Sequence, residues 1–232
     1  MSDFDQVRIL VLGDSGVGKT SLVHLIAKGE PLTSITYTIG ASIEVKLHEY
    51  KEGTPSQKTF WIELFDIGGS HGHRNSRHVF YNNYQGIILV HDLSNRKSEQ
   101  NLERWLREIV QYSNSTNGKC KDWEDVVTHD QLMNSDSDVP ILVIGTKHDL
   151  ESQRGTLLLH QRRSHVAEDC GAEEIHLNGT DTKSLMPGSS ASNKLSRFFD
   201  KVIEKQFYTK NRDKSGSGTF NHAERIERRR LV

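Results

Sequence analysis

Residues Gly13, Asp14, Ser15, Gly16, Val17, Gly18, Lys19 and Thr20 stand at the spacing G-x-x-x-x-G-K-[ST]. Those residue types suit one kind of chemistry. Glycines let successive backbone N–H groups wrap an anion, and the positive end of a following helix adds to the attraction. The Lys19 ammonium supplies a charge to the outer phosphates of a nucleotide, and the Thr20 hydroxyl can ligate Mg²⁺. Gly13, Ser15, Gly16, Val17, Gly18 and Ser21 are the accompanying nucleotide-binding candidates. The competing explanation is a glycine-rich turn without a ligand. Its neighbours disfavour it: residues 7–12 are an apolar run broken only by Arg8, and residues 21–26 have helical character. Strand, glycine loop and helix form the setting in which this pattern holds phosphate.

A phosphate loop alone permits an ATPase, a kinase or a GTPase. Four further features choose among them. Asp66-Ile67-Gly68-Gly69 ends an alternating apolar run; Asp66 can hold Mg²⁺ through water, and the Gly69 amide can meet a γ-phosphate. Thr38, within Tyr37-Thr38-Ile39-Gly40, can complete the metal shell from a loop that orders only with triphosphate. Thr146-Lys147-His148-Asp149 follows another apolar run. The Asp149 carboxylate can accept from both the N1–H and the 2-amino group of guanine, whereas adenine would leave it desolvated and unpaired. Lys147 can lie along the base face, and His148 lines the same loop. Asn178 and Gly179, before Thr180, can offer backbone N–H groups to the base carbonyl.

The elements that must carry these groups read as alternating strands and helices. Residues 7–12, 43–50, 58–65, 86–92, 140–145 and 174–177 have strand character; 20–28, 95–112, 156–170 and 189–207 have helical spacing. Residues 51–55 suit a hairpin turn between the second and third strands. The expected fold class is therefore α/β, a mostly parallel sheet with helices on both faces and one antiparallel edge hairpin. Residues 113–138 form a long polar insertion, with one helical turn expected near 123–127. We expect a domain over 1–208 and a basic, disordered tail over 209–232.

Composition narrows the partners. Lys plus Arg number 30 against 31 Asp plus Glu, so the net charge of −1 gives no general attraction to nucleic acid or membrane. From Lys210 to Val232 there are seven basic residues against three acidic ones, a solvated arm suited at most to transient contact with anionic lipid. Two cysteines, Cys120 and Cys170, imply no disulfide framework and a reducing compartment. The sequence contains no segment of transmembrane length and no signal-peptide pattern, and its last residues include no cysteine for prenylation. A cytoplasmic location with no stable membrane anchor is expected.

In order and spacing these motifs resemble Ras-superfamily small GTPases, most of all the Rab branch and its atypical Rab-like members, over residues 7–207. The resemblance implies a P-loop NTPase fold, GTP/GDP and Mg²⁺ as ligands, and effector proteins meeting the loops near Thr38 and Gly69. It also implies a tendency to homodimerise and a role in handling other, lipid-modified small GTPases. Two departures bear on activity. Ser70 stands where the family places a water-orienting glutamine, and serine is too short for that task; slow hydrolysis is expected. His71 and His73 follow; either could take over, although both read more simply as solvent-facing loop residues, and a zinc site with His78 is disfavoured. Residues 29–36 contain no aromatic to stack on the base, so fast exchange is expected. Trp61 is out of phase with Phe60, Ile62 and Leu64, and is either a partner-binding anchor or ordinary packing. Against the switch stands an alternative: a nucleotide-stabilised scaffold or regulator with no working hydrolysis cycle.

Overall fold

Strand β1 (Gln6–Leu12) lies near the middle of a six-stranded sheet and is buried on both faces, which is why its sequence is an almost unbroken apolar run. The computed structural model describes residues 5–114, 139–152 and 163–209. The other strands are β2 (Ala41–Tyr50), β3 (Lys58–Ile67), β4 (Gly86–Asp92), β5 (Ile141–Thr146) and β6 (Glu173–His176). Their order is β2-β3-β1-β4-β5-β6, parallel throughout except for the β2–β3 pair. All residues of β4 are buried, as a central strand covered on two sides requires.

The helices are α1 (Lys19–Lys28), α2 (Arg74–Arg77), α3 (Arg96–Gln100), α4 (Leu102–Asn114), α5 (His148–Ser152), α6 (His165–Asp169) and α7 (Ser190–Ile203). On one sheet face Ile9, Val11 and Ile62 pack with Leu22 and Ile26 of α1 and Phe198, Phe199 and Val202 of α7. On the other, Leu10, Leu12 and Leu89 pack with Leu102, Trp105 and Ile109 of α4. Two hydrophobic layers thus clamp the sheet, each fed by alternate residues of the same strands.

Several expected elements take a different form. The helical stretch 95–112 is interrupted at Asn101, although bonds from Asn101 N–H to the Lys97 carbonyl (3.0 Å) and from Trp105 N–H to the Asn101 carbonyl (3.3 Å) carry it across. The last helix ends at Ile203 and widens into a π-type turn over Glu204–Thr209. Packing explains the change: Phe207 meets Phe60 and Tyr208 stacks on Tyr50, each with ring centroids 5.3 Å apart. Strand β2 keeps its alternation, but its apolar side faces outward, with Ile43, Val45 and Leu47 at 54%, 38% and 52% exposure. Its inner side instead carries polar groups that the helices satisfy: Glu44 pairs with Lys28 (3.3 Å), His48 with Asp200 (2.8 Å) and Tyr50 with Glu204 (3.0 Å). The turn expected at 123–127, most of the insertion 113–138, the first part of helix 156–170 and the basic tail lie outside the described residues.

Candidate functional site

Parallel strands bring the loops that follow β1, β3, β5 and β6 to one edge of the sheet. There they enclose a cavity of about 680 Å³. Its wall includes Ser15, Gly16, Gly18, Lys19, Thr20 and Ser21 from the first loop, Gly69 and Ser70 from the second, Lys147 and Asp149 from the third, and Asn178 and Gly179 from the fourth. Thr38 and Thr146 also line it.

The phosphate loop is shaped by sterics. At Gly13 (φ +150°) a Cβ would lie 2.1 Å from the Val90 carbonyl oxygen, so only glycine fits. Gly18 caps α1 in the left-handed region with no side chain bonded to the first-turn amides, which leaves that helix end open to an anion. The Lys19 Nζ is buried and donates to the carbonyls of Gly13 and Asp14, both at 2.8 Å. Burial pulls its pKa down to about 8, against the opposing pull of Asp66 and Asp14. The ammonium is thus already aimed along the loop by main-chain acceptors.

Beside it, three oxygens from three separate stretches converge. Thr20 Oγ1 donates to Asp66 Oδ2 at 2.6 Å, Thr38 Oγ1 donates to the same oxygen at 3.1 Å, and the two hydroxyls are 3.0 Å apart. Ser42 Oγ also approaches that oxygen, at 3.4 Å. Asp66 is fully buried, and its other oxygen, Oδ1, has no hydrogen-bond partner. An orphaned buried carboxylate oxygen next to two hydroxyls suits a hard, oxygen-seeking cation such as Mg²⁺, with a water between carboxylate and metal. The donor set fits the ion. Gly68 and Gly69 press this segment onto its neighbours: a Cβ on Gly68 would fall 2.7 Å from the Thr38 carbonyl oxygen, and one on Gly69 2.5 Å from the backbone of Asp14 and Ser15.

On the base side, Thr146 acts as a strut. Its hydroxyl lies 2.5 Å from the Val17 carbonyl oxygen and 2.9 Å from that of His91, tying the phosphate loop to β4. Lys147 takes a left-handed backbone (φ +57°) and its Nζ donates to Asp92 Oδ2 at 2.7 Å. Burial alone would raise the Asp92 pKa; the bonds from Lys147 and Ser94 outweigh it and hold the carboxyl below its usual range. Asp149 lies exposed in the cavity wall. In the last loop Asn178 N–H donates to Ser184 Oγ and Thr180 N–H to Asn178 Oδ1, and Gly179 lies between them in the cavity wall. Gly13, Val17 and His148 stand behind the wall; the His148 N–H donates to the Leu177 carbonyl at 3.3 Å.

Residues that the motifs do not mark also build the site. Asp14 accepts from Asn101 Nδ2 (2.6 Å) and Trp105 Nε1 (3.0 Å), anchoring the phosphate loop to α4. Arg77 is buried, forms a two-pronged pair with Glu108 (2.7 and 3.0 Å), and lies 4.1 Å over the Trp105 ring. Tyr81 donates to the same Glu108 at 2.8 Å; burial first, then that carboxylate, push its pKa up. Asp92 had one local signal, its place at the end of an apolar run; nothing in the sequence paired it with Lys147. Ile35, Thr36, Tyr37, Ile39, Leu150 and Thr180 also line the cavity. The three histidines after Gly69 diverge: His71 faces Arg104 (3.2 Å), His73 lines the cavity and His78 lies against Tyr112.

A sheet of this order, with a glycine loop after its first strand and its pocket at the strand ends, is the G domain of a small GTPase. Comparison with known proteins agrees. The family model described as Ras of Complex, Roc, domain of DAPkinase matches residues 8–120. Rab-like protein 3 of Xenopus tropicalis is 50% identical over 213 residues, 89% of this chain and 88% of that protein. Rab-like protein 3 of Danio rerio is 47% identical over 232 residues, 97% of each. Small GTPase LIP1 of Arabidopsis thaliana is 36% identical over 161 residues, 65% of this chain and 44% of that protein. The chain belongs to the Rab-like protein 3 family of Ras-superfamily small GTPases.

Proposed function

We propose that this protein is a guanine-nucleotide switch that binds GTP and GDP with Mg²⁺ and regulates signalling or trafficking partners. The observation that carries the reading is one cavity whose wall holds Lys19, Thr20, Thr38, Lys147 and Asp149, with buried Asp66 bonded to the two threonine hydroxyls behind it. Lys19 and the amides of residues 15–20 bind the phosphates. Asp149 reads the two donors of guanine, and Lys147, held by Asp92, lies along the base. Thr20, Thr38 and Asp66 would hold Mg²⁺, which supplies charge neutralisation to the outer phosphates when bound.

Switching follows from where Thr38 sits. Its loop carries Ile35, Tyr37 and Ile39 at 71%, 87% and 80% exposure, so apart from Thr38 itself little packing holds it. A terminal phosphate that engages Thr38 and Gly69 orders both loops and alters the surface they share. Between them Ile43, Val45, Leu47 and Trp61 present an outward apolar row, and we assign effector proteins, or a second copy of the chain, to that surface. Trp61 is 37% exposed, which supports its use as an anchor. Ser70 lines the cavity, and its hydroxyl is too short to orient a water as a glutamine would, which supports slow intrinsic hydrolysis. With no aromatic in residues 29–36 to hold the base, exchange is fast.

The cytoplasmic location and the division into a domain over 1–208 and a tail over 209–232 belong to the same proposal. Among the described residues no helix is long and apolar enough to cross a membrane. The test is the nucleotide carried by purified protein, with GTP against ATP competition for the site. Equal affinity for guanine and adenine nucleotides would refute the reading. Ser70 also favours the scaffold alternative. Partner capture that is equal with GDP and with a non-hydrolysable GTP would support the scaffold over the switch.

A further inference from the structure

We infer that His73, not Ser70, is the side chain that positions the attacking water for GTP hydrolysis in this chain; the inference rests on the nucleotide-binding reading above. Gly69 is pressed onto the backbone of Asp14 and Ser15, so the segment after it begins against the phosphate loop. It then turns tightly. Residues His71–His73 form a single 3₁₀ turn, closed by a bond from the His73 N–H to the Ser70 carbonyl at 3.2 Å. Ser70 enters this turn with an extended backbone and His73 closes it, and both line the nucleotide cavity together with Lys19 and Thr38. His71, between them, faces Arg104 instead and is not part of the wall.

The chemistry suits the longer side chain. A serine hydroxyl ends one bond beyond Cβ; an imidazole nitrogen reaches further and accepts a hydrogen bond when neutral. His73 supplies that acceptor to the water. The water oxygen forms the new bond to the γ-phosphorus, and the bond from that phosphorus to the β,γ-bridging oxygen breaks with its electron pair departing on GDP. The proton shed by the water passes to a γ-phosphoryl oxygen, and inorganic phosphate leaves.

The experiment is single-turnover hydrolysis of bound GTP by the full chain, with affinity for labelled GDP measured in parallel. His73→Ala is expected to lower the rate at least about tenfold at unchanged GDP affinity. His73→Gln, which keeps an acceptor of similar reach, restores most of the rate, and His71→Ala leaves it unchanged. An unaltered rate in His73→Ala, equal losses in His73→Ala and His71→Ala, or no turnover in the unaltered chain would each overturn the inference while leaving nucleotide binding standing. Failure of the unaltered chain to bind GTP would overturn the function proposed above, and this inference with it.

Discussion

Replacing Asp66 with asparagine should lower nucleotide affinity far more than it changes stability. The Asp66 carboxylate is fully buried and spends one oxygen on the hydroxyls of Thr20 (2.6 Å) and Thr38 (3.1 Å), while the other has no partner. In the nucleotide-free chain the unsatisfied oxygen carries a penalty of about 1–3 kcal/mol, while a neutral side chain weakens each of the two hydroxyl bonds by about 1 kcal/mol, so the two effects on stability roughly cancel. Around a bound Mg²⁺ the charge would have no such offset, and a neutral amide that holds the metal's water less tightly should weaken the complex by about 2 kcal/mol. That corresponds to about thirtyfold lower affinity. Titration with fluorescent GDP, with Mg²⁺ and with EDTA, measures the affinity, and thermal unfolding of nucleotide-free protein measures the stability. We expect Asp66→Asn to melt close to the parent temperature and to lose most of its Mg²⁺ dependence. A variant that melts well below the parent yet keeps full Mg²⁺-dependent affinity would refute the reasoning.

Three further outcomes follow from the same geometry. Burial holds the Lys19 pKa at about 8 against an ordinary 10.5, so the folded, nucleotide-free chain binds that proton more weakly than the unfolded chain does; stability should rise between about pH 8 and 10.5. Phosphate needs the ammonium, so nucleotide affinity should hold up to about pH 8 and fall above it; Lys19→Met, compared with the parent, should lose both slopes. Ser70→Gln should raise the single-turnover hydrolysis rate, and no gain would remove the argument that the missing glutamine limits turnover. Arg77→Met leaves partly buried Glu108 without its two-pronged partner and should cost about 3 kcal/mol in denaturant unfolding; a cost below 1 kcal/mol would show that Arg74, 3.6 Å away, and Tyr81 suffice for it.

The sequence by itself marked the phosphate loop and the Thr146–Asp149 run, because each is a short stretch whose chemistry depends on neighbours a few residues away, whereas Thr20, Thr38 and Asp66 are 18 to 46 residues apart and meet only in the fold. It also determined the strands, since a sheet buried on two faces demands apolar runs at 7–12 and 86–92. Tertiary structure alone decided what reaches those motifs from afar. Lys147 meets Asp92 because β4 and β5 are adjacent and in register, Asp92 opposite Thr146. Asp14 meets Trp105 only once α4 packs beside the first loop. The outward turn of Ile43, Val45 and Leu47 depended on which side of an edge strand the helices cover, and an alternating pattern is the same for either side. His73 joined the cavity wall through one tight turn whose phase no residue type announces. Local chemistry is written in adjacent residues, whereas long-range pairing is set by strand order and packing, and these arise only when the whole chain closes on itself.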